Sequence, residues 1–240
     1  MRQEPLTGYC IHSRPYRDKR AIYRFFCQNN GMVDGVARQG LLLFVPLTAF
    51  ATGKSALKNF SQCQYSTLTP TTFLGVSYYG ALYINELLYR LLPLEDAMPI
   101  LFTEYVQALA ELQILARTDE LGLRQILRRF ERTLLSELGA QIDFTQDSFA
   151  RAIEPDAYYR FAMGAGFEKV ALLTDEPQTL SGADILYLAS HYFTPELLTD
   201  PRRLSTITAL HRLVLDGLLE YKPLHSRQLW RDKVSFQLSS

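Results

Sequence analysis

The sequence predicts a multi-domain α+β protein, a small N-terminal β-barrel followed by an all-helical C-terminal domain. Three observations carry this reading. The first 65 or so residues alternate short β-favouring runs with turns rich in Gly and Asn. From residue 72 onward, apolar residues recur at three- and four-residue spacing. The 240-residue chain has no formal net charge, yet residues 1–75 carry nine Lys/Arg against three Asp/Glu and residues 76–240 carry sixteen against twenty-two. Such a split points to an anionic partner for the first part, the plain alternative being a solvated basic surface.

The elements follow in order. A short β-type run through Tyr9, Cys10, Ile11 and His12 passes into a loop with four basic residues, Arg14, Arg17, Lys19 and Arg20. Two of them flank Pro15-Tyr16. Cations hold phosphates and an aromatic ring accepts a base face, so this pairing suits a single-stranded nucleic acid. Residues 21–27 read as a strand, and Asn29-Asn30-Gly31 supplies turn chemistry. A strand over 32–37 follows, with Gly35 read as a bulge. The apolar run 41–51 is broken by Pro46, which suggests an edge or a bend. Thr52-Gly53-Lys54 reads as a hairpin turn and 56–63 as the returning strand. Five short strands on this scale fit an OB-fold barrel over residues 1–70.

Residues 66–72 form a polar linker containing Pro70, and the helical domain is assigned to 71–240. Thr72 is read as the cap of a helix over 73–92, apolar nearly all round and ended by Pro93. A second helix is expected over 97–116, with Pro99 in its first turn. A third starts near Asp119, carries Leu123, Leu127, Phe130, Leu134 and Leu138, and stops at Gly139. An irregular insertion spans 141–180, with a small hairpin around 158–161 and 166–167. Ser181 caps a further helix, Asp200-Pro201 starts one that runs to about 220, and a short helix lies near 226–232.

Several chemistries lack support. Gly53-Lys54-Ser55 resembles the end of a phosphate-binding loop, but the glycine required five residues earlier is Thr48. The histidines His12, His191, His211 and His225 form no H-E-x-x-H pattern, and no G-x-S-x-G elbow is present. Cys10, Cys27 and Cys63 are odd in number and widely spaced, which suits reduced thiols. Glu95-Asp96 and Asp119-Glu120 sit at helix starts, where the macrodipole accounts for them. No catalytic residue, metal or cofactor is therefore expected. An N-terminal apolar signal run is absent, and the uncharged stretch 59–85 is too polar to span a membrane. A cytoplasmic, nucleoid-associated protein is the expectation.

The third helix carries Arg124, Arg128 and Arg132 at four-residue spacing, with Arg129 beside them. This stripe reads either as a solvated face with local ion pairs or as a socket for an acidic peptide, since guanidinium matches carboxylate bidentately. Near the C-terminus, Leu229 and Trp230 are read as anchors of a docked terminal helix.

The ordered set of segments is similar to the RecO family of bacterial DNA repair proteins. The pieces are residues 9–16, 80–92, 127–131, 135–139, 180–183 and 222–229. The resemblance implies an OB-fold joined to a helical domain and a non-enzymatic role. It implies binding of single- and double-stranded DNA, strand annealing and, with the partner RecR, replacement of single-strand-binding protein by RecA on gapped DNA. It also implies docking of the acidic tail of single-strand-binding protein on the helical domain, with Arg128 matching a basic family position. Two departures stand out. The basic loop after the third strand is short, and no cysteine lies between 143 and 167, where some members hold zinc.

On this reading Arg14, Arg17, Lys19, Arg20, Arg24 and Arg38 contact phosphates, Lys54 and Lys58 extend the track, and Tyr16 and Tyr23 stack on bases. Arg124, Arg128, Arg129 and Arg132 take the acidic tail. The alternative is a protein-only adaptor that uses the barrel as a docking module.

Overall fold

The computed structural model describes residues 4–66, 72–176, 178–192 and 194–238. The linker with Pro70 falls mostly outside these residues. Five strands close into a barrel of order β1-β2-β3-β5-β4. They are β1 (Glu4–Tyr16), β2 (Arg20–Cys27), β3 (Gly31–Arg38), β4 (Pro46–Thr52) and β5 (Leu57–Tyr65). All neighbouring strands run antiparallel except β3 and β5, which pair in parallel. This is the expected OB-fold barrel.

Two sequence readings change here. Gly35 is not a bulge, because β2 and β3 pair without a register shift; the breaks lie at Cys10/His12 and Thr48/Phe50. Gly35 is glycine for space, since a Cβ there would stand 2.4 Å from the Phe60 ring. Pro46 is the first residue of β4 and not a bend within it, because a missing N–H is tolerated at a strand start.

Inward residues of the barrel form one cluster that includes Cys10, Tyr23, Phe25, Val33, Leu47 and Phe60. The other face of β1 and β2 is covered by helices, which explains why β2 is buried almost throughout. Phe26 lies 5.2 Å from Phe102 and Tyr9 lies 5.3 Å from Tyr105, centroid to centroid. The buried Asn85 amide donates to the Ile11 carbonyl at 3.0 Å and accepts from the Tyr105 hydroxyl at 2.9 Å.

The helices are α1 (Val76–Leu91), α2 (Pro99–Ile114), α3 (Glu120–Glu137), α4 (Gly182–His191), α5 (Pro195–Thr199), α6 (Pro201–Leu218) and α7 (His225–Leu238). A sheet of order β7-β6-β8 separates α3 from α4, built from β6 (Tyr158–Ala162), β7 (Gly166–Val170) and β8 (Thr179–Ser181). Helix α1 starts later than expected. Its cap is Gly75 at φ 64, not Thr72, because the backbone there packs against Arg117 and the Val76 amide bonds the Arg117 carbonyl at 3.1 Å. The caps read at Ser181 and Asp200 are present.

Packing divides the chain into Met1–Phe130 with Pro223–Ser240, and Glu131–Lys222. The barrel, α1, α2 and α7 thus belong to one unit, and the change of period near residue 70 is not where packing divides. The second unit holds a buried polar chain. The His211 ring lies 3.0 Å from a Glu131 oxygen and 2.6 Å from the Tyr192 hydroxyl.

In the first unit, Glu86 of α1 caps α7. Its carboxylate accepts from the His225 amide at 2.9 Å, the Ser226 amide at 2.9 Å and the Ser226 hydroxyl at 2.7 Å, and it pairs with Arg90 at 3.0 Å. Burial alone would raise the Glu86 pKa, but the Ser226 and His225 bonds and Arg90 together lower it. A lowered carboxylate pKa stabilises the fold above the ordinary value of 4.5 and loses that contribution as pH falls through the folded value. Glu86→Gln is predicted to cost about 1–2 kcal/mol at neutral pH. The gap to the parent should close as pH falls below about 4.5. Denaturant unfolding followed by Trp230 fluorescence measures this, because the single Trp lies edge-on to Tyr79 at 5.4 Å.

Candidate nucleic-acid interface

Strand register sorts the basic residues. Ala21, Tyr23, Phe25 and Ala37 point into the barrel core, so Arg20, Ile22 and Arg24 point outward. Cross-strand partners share a face. Arg14 is opposite Ile22, Tyr16 is opposite Arg20, and Arg20 is opposite Arg38. Arg14, Tyr16, Arg20 and Arg38 therefore share the outer face at one end of the barrel. The β1–β2 turn adds Arg17 and Lys19, with Asp18 at φ 51 between them. Arg14, Arg17, Lys19, Arg20 and Arg38 are all exposed.

Like charges directly opposite each other repel. The Arg20 guanidinium is steadied by Asn59 at 3.1 Å and by the Val36 carbonyl at 3.5 Å. Arg17 sits 5.5 Å from the centre of the half-buried Tyr16 ring, a cation–π contact at the tip of the hairpin.

Four residues assigned to this track from sequence lie elsewhere. Arg24 is locked in the fold. Its guanidinium makes two 2.8 Å bonds to Asp34, donates to the Tyr89 carbonyl at 3.0 Å and lies 4.9 Å from the Tyr89 ring centre. It joins the barrel to α1, and its charge is already matched by Asp34. Tyr23 is 2% exposed, so neither ring face can receive a base. Lys58 pairs with Glu95 at 2.9 Å.

Lys54 is exposed but sits at the other end. The β1–β2 and β2–β3 turns lie at opposite ends of β2. Because β5 starts beside the first half of β3, the β4–β5 turn falls at the β2–β3 end. There Lys54 and Lys58 line an open depression of about 530 Å³ with Asn29, Asn30 and Glu95 over a floor of Leu6, Val33 and Ala51.

His12 adds no charge to the basic face. It stacks on Tyr89 at 4.1 Å, and burial, then Arg24 and Arg14, lower its pKa from the ordinary 6.5. The thiols are poor nucleophiles. Burial pushes Cys10 up to about 12 and also raises Cys27 and Cys63. Among the described residues no group of three or more His, Cys, Asp or Glu could hold a metal ion. No described helix is long and apolar enough to cross a membrane.

The α3 arginines do not form one open socket. Arg124 is exposed. Arg128 is 8% exposed. Arg129 binds Glu104 at 2.8 Å and both oxygens of Glu111 at 2.8 and 2.9 Å. Burial works against its charge, and the Glu111 and Glu104 bonds outweigh that, so its pKa is raised. Arg132 donates to the Tyr192 carbonyl and lies 5.8 Å from the Tyr192 ring centre. The arginines share one helix at four-residue spacing, but the partners of Arg129 and Arg132 come from distant sequence.

Sequence reasoning missed Gln39, Asn59 and Tyr89, which anchor or position the cations. Only Gln39 carried a signal, as the polar residue between Arg38 and Gly40.

Comparison with known proteins follows the same line. The family profile described as "Recombination protein O C terminal" matches residues 75–192. A DNA repair protein RecO from Marinobacter nauticus is 33% identical over 244 residues, covering 96% of this chain and 94% of the relative. One from Pseudomonas entomophila is 35% identical over 237 residues, covering 95% and 98%. One from Pseudomonas putida strain KT2440 is 36% identical over 237 residues, covering 94% and 96%. Similarity at this level, along nearly the whole chain and on a closed five-stranded barrel followed by helices, means that the chain belongs to the RecO family of DNA repair proteins.

Proposed function

We propose that this protein is a non-enzymatic recombination mediator that binds single- and double-stranded DNA on the outer face of its barrel. In this reading it anneals complementary strands and, with RecR, helps load RecA onto DNA coated by single-strand-binding protein. It works in the cytoplasm, at the nucleoid. Its membership of a DNA repair family supports the process. The observation that carries the binding site is the set of exposed cations Arg14, Arg17, Lys19, Arg20 and Arg38 at one end of a closed barrel, with Tyr16 among them.

Charge holds the backbone and each neutralised phosphate releases counterions. Five contacts correspond to a slope of about −3.5 in log K against log salt for a single strand and about −4.5 for a duplex. Fluorescence polarisation with a labelled oligonucleotide across a salt series measures the slope. Arg38→Ala is predicted to flatten it by about 0.7 on a single strand, as one lost contact. Lys54→Ala leaves it unchanged, because Lys54 lies at the far end of the barrel. A flat salt response of the parent protein contradicts this site.

A second reading, a protein-only adaptor, is favoured by α3. Arg129 is taken up by Glu111 and Glu104, but Arg124 stands exposed five residues earlier. An acidic peptide such as the tail of single-strand-binding protein fits that chemistry. Arg124→Ala is predicted to weaken a labelled tail peptide roughly two- to fivefold with unchanged thermal unfolding, as an exposed charge contact. Arg128→Ala should weaken the fold as well as the peptide, because its side chain is buried. Tail binding without DNA binding would favour the adaptor.

A further inference from the structure

We propose that Tyr23 and Gln39 are positioning residues for the DNA-binding face, holding the short segment after β3 in place. The inference rests on the reading of that face as the DNA site.

The segment after β3 is short, and its polar backbone is tied down residue by residue. The Tyr23 ring is buried in the barrel, but its hydroxyl reaches the rim. There it donates to the Arg38 carbonyl at 3.2 Å and accepts from the Gly40 amide at 3.0 Å and the Leu41 amide at 3.2 Å. The Tyr65 hydroxyl accepts from the Leu42 amide at 2.8 Å. Gln39 ties the same segment to the β1–β2 turn. Its amide donates to the Lys19 carbonyl at 2.9 Å, and its side chain donates to the Arg20 carbonyl at 3.1 Å and the Asp18 carbonyl at 3.4 Å.

These bonds have a common effect. Arg38, Lys19 and Arg20 repel one another, yet the backbone that carries them is clamped from both sides. Left alone, the loop would relax and spread those charges apart. A phosphate chain that meets a preset array loses less freedom on binding than one that must gather mobile side chains. Few cations held in register can thus serve where many mobile ones would otherwise be needed. The left-handed Gly40, at φ 107 with open space around it, lets the chain turn directly back toward Tyr23.

Tyr23→Phe keeps the buried ring and removes only the hydroxyl. DNA affinity at fixed salt should fall roughly three- to tenfold, with hydrogen exchange at 40–42 accelerated and the thermal midpoint nearly unchanged. The deciding measurement is a double-mutant cycle. If Tyr23 acts by placing Arg38, then Arg38→Ala costs clearly less in the Tyr23→Phe background than in the parent. Gln39→Ala, which removes the side-chain bond to the Arg20 carbonyl, should repeat the pattern with Arg20→Ala and leaves the barrel core untouched, so it serves even if Tyr23→Phe lowers stability. Additive losses in both cycles, or full affinity in both single variants, overturn the proposal while the DNA site stands. If Arg38→Ala and Arg20→Ala leave parent binding unchanged, the DNA site itself falls and the positioning role falls with it.

Discussion

Gly35 leaves the space into which the Phe60 ring packs, and there β3 pairs in parallel with β5 to close the barrel. Nearly everything about the candidate site depends on this closure. It fixes which turns share an end. The antiparallel β1–β2 and β2–β3 pairings put the β1–β2 turn and the exit of β3 together, and the closure brings Asn59 of β5 close enough to hold Arg20. It sends the β4–β5 turn, with Lys54, to the opposite end. A methyl group at position 35 would strike the Phe60 ring, and closing a barrel without that ring would leave a cavity. The site is a consequence of barrel geometry before it is a matter of charge.

Charge is then distributed by what each cation can reach. Arg24 and Arg20 lie on one strand, four residues apart and on the same face. One meets Asp34 and Tyr89 and becomes a structural tie to α1. The other meets an amide oxygen and stays exposed. The same sorting separates Arg124 from Arg129 on α3. A half-buried arginine with two carboxylates is an anchor whose loss strands those carboxylates, whereas an exposed one adds little to stability and is available for a ligand. The excess of basic residues in the first part of the sequence is therefore shared between structural ties and an exposed basic rim.

The barrel was legible because its strands carry aromatic and β-branched runs punctuated by Asn, Gly and Pro, and the helices because their apolar residues keep the right period. Caps at Ser181 and Asp200 were readable from local side-chain chemistry alone. What was not legible depended on register and on distant partners. Tyr16 and Tyr23 look equivalent in sequence, yet one faces out and the other in. Thr72 looks like a cap, but the Arg117 backbone moves the helix start to Gly75. The short helix α5 has too few residues for periodicity to register. Glu86 gave no hint that it caps a helix 139 residues further on, at His225.

The proposed DNA site is the rim formed by the β1–β2 turn and the exit of β3. Hydrogen exchange of the full chain, with and without an unlabelled thymidine oligonucleotide at low salt, tests it most directly. Binding at this rim protects residues 14–20 and 38–42 and leaves residues 53–58 unchanged. Protection confined to the Lys54 depression, or to the helices, would contradict it.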